Sequence, residues 1–255
     1  MSLKTKVIEK AKDLGMTLVG FANVERWEDS DVSYVPREFF PHSIWDWSRT
    51  VIVMAVPMPL PILETTPSVM YSELYATSNR LLDETAYRIG LFLNNLGRRA
   101  FYFPRDCYGD LSVLVKKPEA AFSHVVAGKY AGLGTIGFNH ALITPEYGPR
   151  LRLVSVITDA EIEPSPLYDK ELCVGCGVCG KKCPKQAFTK REHGIIADMD
   201  KVKCAEHHVT LKGEMRAPCG ICTLVCPVGE DRKMYGNNAI TKTGASHVQD
   251  FGANA

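Results

Sequence analysis

The sequence predicts an α/β region over residues 1–165, a small cysteine-built module over 166–235 and a polar tail over 236–255. Three observations carry this. Apolar runs of strand character alternate with helical stripes as far as Thr158. Pro164 and Pro166 then break the pattern. Beyond them, eight of the nine cysteines fall between Cys173 and Cys226.

In chain order, Leu3, Val7, Ile8, Ala11 and Leu14 keep helical spacing, and Gly15 is a natural stop. Met16–Val24 reads as a strand. Residues 26–49 hold all three tryptophans, two prolines and many charges, so irregular chain is expected there, with a short helix around Arg37–Phe40. Thr50–Met58 is continuously apolar and β-rich, which predicts a buried central strand. Across 69–96 a stripe of Leu74, Leu81, Leu82, Ala86, Ile89, Phe92, Leu93 and Leu96 predicts the longest helix, ended by Gly97. Ala100–Phe103 is a short strand. Pro118 is read as opening another helix, proline being tolerated in a first turn. His140–Thr144 and Arg150–Thr158 are expected to pair across the PEYGP turn.

Composition narrows the function classes. A formal charge of +1 supplies no bulk basic field for nucleic acid. No apolar run approaches the roughly 18 residues of a membrane helix, and the N-terminus has no signal-peptide core. A cytoplasmic location is therefore expected. Thiols stay reduced there, so nine cysteines point to metal rather than disulfides.

Their spacing points the same way. Cys173, Cys176, Cys179 and Cys183, with Pro184 behind, form the C-x2-C-x2-C-x3-C-P run of two-cluster bacterial ferredoxins. Cys204, Cys219, Cys222 and Cys226 follow, the last again before a proline, Pro227. In such modules the fourth cysteine of each run serves the other cluster. One [4Fe–4S] cluster is thus expected on Cys173, Cys176, Cys179 and Cys226, and a second on Cys183, Cys204, Cys219 and Cys222. Structural zinc is the alternative for paired C-x2-C motifs, and eight thiols in ferredoxin order with both CP endings weigh against it. Cys204 is displaced upstream of its symmetric position by the insertion that ends at Cys219. Cys107 is the odd thiol, read as a core or loop cysteine.

The stretch KYAGLGTIGFNHALITPEYGPRLRLVSVITDAEIEP, followed by these cysteines, resembles epoxyqueuosine reductases and cobalamin-dependent reductive dehalogenases. The resemblance covers residues 3–230 and includes the displaced CAEHHVTL ligand segment. It implies a nitroreductase-like α/β (α+β) domain holding a cobalamin against the first cluster, with two [4Fe–4S] clusters feeding it electrons. It further implies corrin contacts from Leu133, Gly134, Thr135, Ile136, Gly137 and Asn139 and from Ala205, Glu206 and His207. Gly132, Gly134 and Gly137 read equally as a helix end and tight turn, and His207 and His208 as surface histidines. The epoxyqueuosine reductases place an aspartate shortly before the AGLG helix. Here Glu119 and His124 are the titratable groups nearby besides lysines. The helical-repeat extension that follows their clusters, with its tRNA-docking surface, is not matched either.

His124 is the candidate catalytic acid, since a proton donor needs a pKa near working pH. Tyr71, Tyr75 and Tyr130 are phenolic alternatives. Arg105, Asp106 and Tyr108 are read as lining a substrate mouth or facing solvent. The expected function is an iron–sulfur reductase of the epoxyqueuosine reductase-like type, relaying single electrons to a cobalamin-type cofactor or substrate. The alternative is a non-catalytic electron-transfer or corrinoid-reducing partner protein. Flavin in the N-terminal domain is a third option that no motif decides. The expected partners are an external electron donor such as ferredoxin or flavodoxin, and a corrinoid protein or small-molecule substrate, with no membrane and no nucleic acid.

Overall fold

The computed structural model describes residues 1–28, 35–106 and 108–235; Cys107 and the expected tail at 236–255 lie outside the described residues. Helix α1 (Leu3–Asp13) is capped by Ser2, whose hydroxyl accepts from the Thr5 N–H at 3.2 Å. Strand β1 (Leu18–Asn23) follows, then 3₁₀ turns at Val24–Trp27 and Arg37–Phe39, and the short α2 (Pro41–Ile44). Next come β2 (Thr50–Pro57), α3 (Leu60–Leu63), the long α4 (Val69–Asn95) and β3 (Ala100–Phe103). After α5 (Leu111–Lys116) and α6 (His124–Tyr130), β4 (Thr135–Ile136) and β5 (Leu142–Ile143) form a small ribbon. Then β6 (Leu151–Thr158) completes the main sheet. The cysteine-bearing stretch adds α7 (Val178–Lys181), a ribbon of β7 (Phe188–Thr189) and β8 (Asp198–Met199), α8 (Lys201–Gly213), α9 (Ile221–Leu224) and α10 (Asp231–Tyr235). Among the described residues no helix is long and apolar enough to cross a membrane.

The main sheet runs β1-β2-β6-β3, antiparallel throughout. Alternation along β2 and β6 sends side chains to two cores. Val51, Val53, Ala55, Leu153 and Ile157 meet α6, Trp27 and Phe122 on one face. Ile52, Met54, Val56, Val154 and Val156 meet α1 and α4 on the other. Burial on both faces explains why β2 reads as continuously apolar, and it is central as expected.

Two expectations are corrected. Pro118 does not start a helix. It holds Lys117 extended (φ −140°, ψ 98°) and so ends α5, a helix the pattern did not reveal. The next helix starts at His124, where the Ser123 hydroxyl accepts from the Val126 N–H at 3.3 Å. Nor do the strands around the PEYGP turn pair with each other. Leu142–Ile143 pairs with Thr135–Ile136, while Leu151–Thr158 crosses into the main sheet between β2 and β3. Its apolar residues on both faces need that central position.

Candidate functional site

The duplicated cysteine motif folds in duplicate. Cys176 precedes Gly177, and Cys219 precedes Gly220; both glycines sit at φ +67° and open a one-turn helix, α7 and α9. A side chain at either position would be strained, so glycine is required where the chain turns back around its thiols. Eight free cysteines are described, and they gather in two sets. Cys173, Cys176, Cys179 and Cys226 line one cavity with Phe138, Asn139 and Val174. Burial, reinforced by Cys226, Cys173 and Cys176 and opposed by the Gly180 N–H, pushes the Cys179 thiol up to about 11. In the other set, burial together with Cys219 and Cys183 raises Cys204 to about 11. Burial together with Cys204 and Cys219 raises Cys222 to about 12. The desolvated thiols of Cys179 and Cys226 in one set, and of Cys204, Cys219 and Cys222 in the other, resist ionising alone. A positively charged iron core removes that conflict, so both donor sets fit a thiolate-bound cluster.

The sheet region grips the second set. Thr66 donates its hydroxyl to the Cys219 carbonyl, and Asn139 donates its amide to the Cys222 carbonyl at 3.1 Å. A Cβ at Gly220 would lie 2.7 Å from the Tyr71 ring, so Tyr71 packs directly on the loop that carries Cys219 and Cys222. One helical turn on, Tyr75 stacks edge-to-face with Tyr71, ring centroids 6.4 Å apart.

Tyr75 also walls a cavity of about 240 Å³ that Asp106, Tyr108, His208 and Lys212 share. Sheet alternation turns Arg152 toward α4, where it donates to Asn79 Oδ1 at 3.1 Å and Asp106 Oδ1 at 3.0 Å. Its guanidinium lies 4.1 Å from the Tyr75 ring centroid, and Tyr75 donates its hydroxyl to Asp106 at 3.4 Å. Burial holds the phenols of Tyr75 and Tyr108 well above their usual range, so they stay protonated donors. His208 bridges the cavity and the second set, its Nε2 being 4.0 Å from Cys204 Sγ and 3.5 Å from the Cys219 N–H. At the rim, Lys212 of α8 pairs with Asp110 at the start of α5.

The candidate site residues distribute unevenly. Asp106, Tyr75 and Tyr108 converge on this cavity, whereas Arg105 pairs with Asp83 at 2.7 Å. Tyr130 stacks on Trp27 in the opposite core, centroids 4.7 Å apart. His124 is not placed as an acid. Its ring nitrogens face Ser155 Oγ at 2.9 Å and the Pro104 carbonyl at 3.0 Å. Burial lowers its pKa to about 4, so at neutral pH it is uncharged.

The residues assigned to a corrin do not form one open surface. Leu133, Thr135 and Ile136 are buried. A Cβ at Gly132 would meet the Pro166 carbonyl at 2.1 Å, at Gly134 the Ile143 carbonyl at 1.9 Å, and at Gly137 the Ile143 side chain at 2.8 Å. These glycines let the chain pack on itself, and the stretch does not fit a corrin face. Ala205 is buried on α8 while Glu206 is exposed and His207 half-buried, and α8 packs on α5. Sequence reasoning missed Arg152, Asn79 and Lys212. The signal available for Arg152 was a lone cation on an otherwise apolar strand.

Comparisons with known proteins agree with this architecture. A 4Fe–4S binding domain model matches residues 166–189. A tetrachloroethene reductive dehalogenase of Desulfitobacterium hafniense is 28% identical over 274 residues, covering 87% of this chain and 47% of that protein. An epoxyqueuosine reductase of Bacillus cereus is 24% identical, covering 88% of this chain and 64% of that protein. The chain spans about half the length of the dehalogenases it matches. Among solved structures, epoxyqueuosine reductase from Streptococcus thermophilus superposes with a TM-score of 0.60 at 19% identity, over 89% of this chain and 66% of that one. A catabolic reductive dehalogenase in complex with 3-bromo-4-hydroxybenzoic acid superposes with a TM-score of 0.67 at 19% identity, over 95% and 35%. The homologues of this chain are thus the reductive dehalogenases and the epoxyqueuosine reductases, and it shares their fold.

Proposed function

We propose that the chain is an iron–sulfur oxidoreductase that passes single electrons from two [4Fe–4S] clusters to a small acceptor in the cavity beside α4, α5 and α8. In this reading 1–165 is a nitroreductase-like acceptor domain and 166–235 a two-cluster ferredoxin-like domain. Cys173, Cys176, Cys179 and Cys226 hold one cluster, and Cys183, Cys204, Cys219 and Cys222 the other. The observation that carries it is the shared wall: Tyr71 packs on the Cys219–Cys222 loop, Tyr75 stacks on Tyr71, and both Tyr75 and His208 face the cavity. Bound in their thiol sets, the clusters would supply one electron at a time.

The chain's own residues do the rest. Arg152 and Asn79 fix Asp106, which in turn accepts from Tyr75. Burial keeps the phenols of Tyr75 and Tyr108 protonated, so they line the cavity as neutral hydrogen-bonding groups.

A second reading is an electron-transfer partner that reduces a corrinoid held by another protein. The self-packed glycines at 132, 134 and 137 favour it, because they leave no corrin face there. One of the similar solved dehalogenases is described as B12-dependent.

Anaerobic purification with iron analysis and a visible spectrum tests both. About eight iron per chain is expected. Adding cobalamin to the reduced protein then tests the premise that both readings share, that this chain itself holds no corrin. No stoichiometric binding is expected, and a tight one-to-one complex overturns both, as does zinc in place of iron.

A further inference from the structure

Between Cys173 and Arg191 the chain carries Lys181, Lys182, Lys185, Lys190 and Arg191 and no acidic residue, in a protein whose formal charge is only +1. Asp169 and Glu171 precede this stretch and Glu192 follows it. All five basic side chains are exposed. Arg191 pairs with Asp198 at 2.6 Å, and none of the four lysines is in an ion pair with another described residue.

The same stretch carries the exposed end of the thiol path. Cys176 is exposed, as are Gly175 and Pro227 beside it, and Val174 is 67% exposed. Cys204, in contrast, is half-buried on α8, and Cys222 is held against the sheet region by Asn139. An electron entering from outside has its shortest route at Cys176. A small apolar tip followed along the chain by exposed lysines outside any described ion pair has the composition of an electrostatically steered docking surface.

We propose that this basic stretch, with Val174 and Cys176 at its exposed tip and Lys181, Lys182, Lys185 and Lys190 following them along the chain, docks an acidic iron–sulfur carrier protein that delivers the electrons. The proposal rests on the oxidoreductase reading above and adds the place and charge of the donor. One electron leaves the carrier's reduced cluster, which is oxidised, and enters the cluster on Cys173, Cys176, Cys179 and Cys226, which is reduced. No bond is made or broken and no proton moves. RNA is the competing anionic occupant. Single-stranded RNA sites join a basic groove to stacking aromatic rings, and the one aromatic residue in the stretch, Phe188, is already packed on Phe138, centroids 6.1 Å apart.

The test is stopped-flow reduction of the anaerobic holoprotein by a reduced acidic bacterial ferredoxin across a salt series. The wild-type rate should fall steeply with salt. The variant Lys181→Glu/Lys182→Glu/Lys185→Glu/Lys190→Glu should be slower by at least about 10-fold at low salt, with little salt dependence left. A control, Lys6→Glu/Lys12→Glu on α1, should stay within about 2-fold of wild type, because its charges lie away from the contact. Iron content and reduction by photoreduced deazaflavin should be unchanged in both variants. An unaltered rate in the lysine variant overturns the proposal, as does an equal loss in the control. So does a stem-loop RNA that displaces the ferredoxin and loses binding in the same variant. No iron, or iron that deazaflavin cannot reduce, removes the oxidoreductase reading and the docking face with it. Reducible clusters that ferredoxin does not reduce remove the docking face alone.

Discussion

Strand β2 alone buries seven consecutive residues, from Thr50 to Val56. Across the whole stretch from 166 to 235, the buried apolar residues among those described are Cys179, Ala187, Ala197, Ala205, Leu211 and Cys219. One of these six is a large aliphatic, and two are thiols of the candidate cluster sets. The sheet region has the hydrocarbon to fold on its own, whereas the cysteine region lacks the core that a segment of its size needs without metal. The contrast teaches that the two halves should fail under different insults. Among the contacts that bind them to each other is Arg150, wholly buried at the foot of β6, which reaches Asp231 and the carbonyls of Cys226 and Val228.

The harshest way to break the comparison is to remove the iron. Anaerobic chelation should strip hydrogen-exchange protection from residues 166–235 while the strands of the main sheet keep theirs; protection that persists in both regions contradicts it. Next in size is the tether. Arg150→Leu leaves the buried Asp231 carboxylate and the Val228 carbonyl without their donor, at a cost of about 3–5 kcal/mol. Denaturant unfolding of the holoprotein should record that loss, and the cluster next to Cys226 should be released before the other.

Acid should act on the sheet region through His124. Its folded pKa of about 4 lies below the unfolded value near 6.5, so only the unfolded chain takes up the proton as pH falls. Stability should therefore be flat above about pH 6.5 and fall by about 3 kcal/mol by pH 4. Thermal melts of wild type and His124→Asn check this, and the variant should show the shallower fall. The smallest effect sharpens the reading of the AGLG stretch. Gly134→Ala should cost about 1–3 kcal/mol, because its Cβ would press on the Ile143 carbonyl. A neutral outcome would mean that this space is open after all.

Much of this was legible in the chain because its cause is local. The helix ending before Gly15, the central strand at Thr50–Pro57 and the long helix at Val69–Asn95 follow from residues a few positions apart. So do the glycine turns after Cys176 and Cys219. The failures share a cause as well. At Pro118 two local rules compete, a helix start and a stop for the residue before it, and the stop prevailed. His124 suggested an acid by type and position, and only its neighbours Ser155 and Pro104 reveal a neutral, hydrogen-bonded ring.

By itself, then, the sequence determined the long, strongly patterned elements and the two-run grouping of thiols, since both are written in spacing along one chain. Tertiary structure alone decided the cavity. Tyr75 and Asn79 come from α4, Asp106 from the loop after β3, Arg152 from β6 and His208 from α8. They meet because sheet alternation turns Arg152 toward α4 and because α8 packs on α5. No periodicity records a meeting of residues so far apart in the chain.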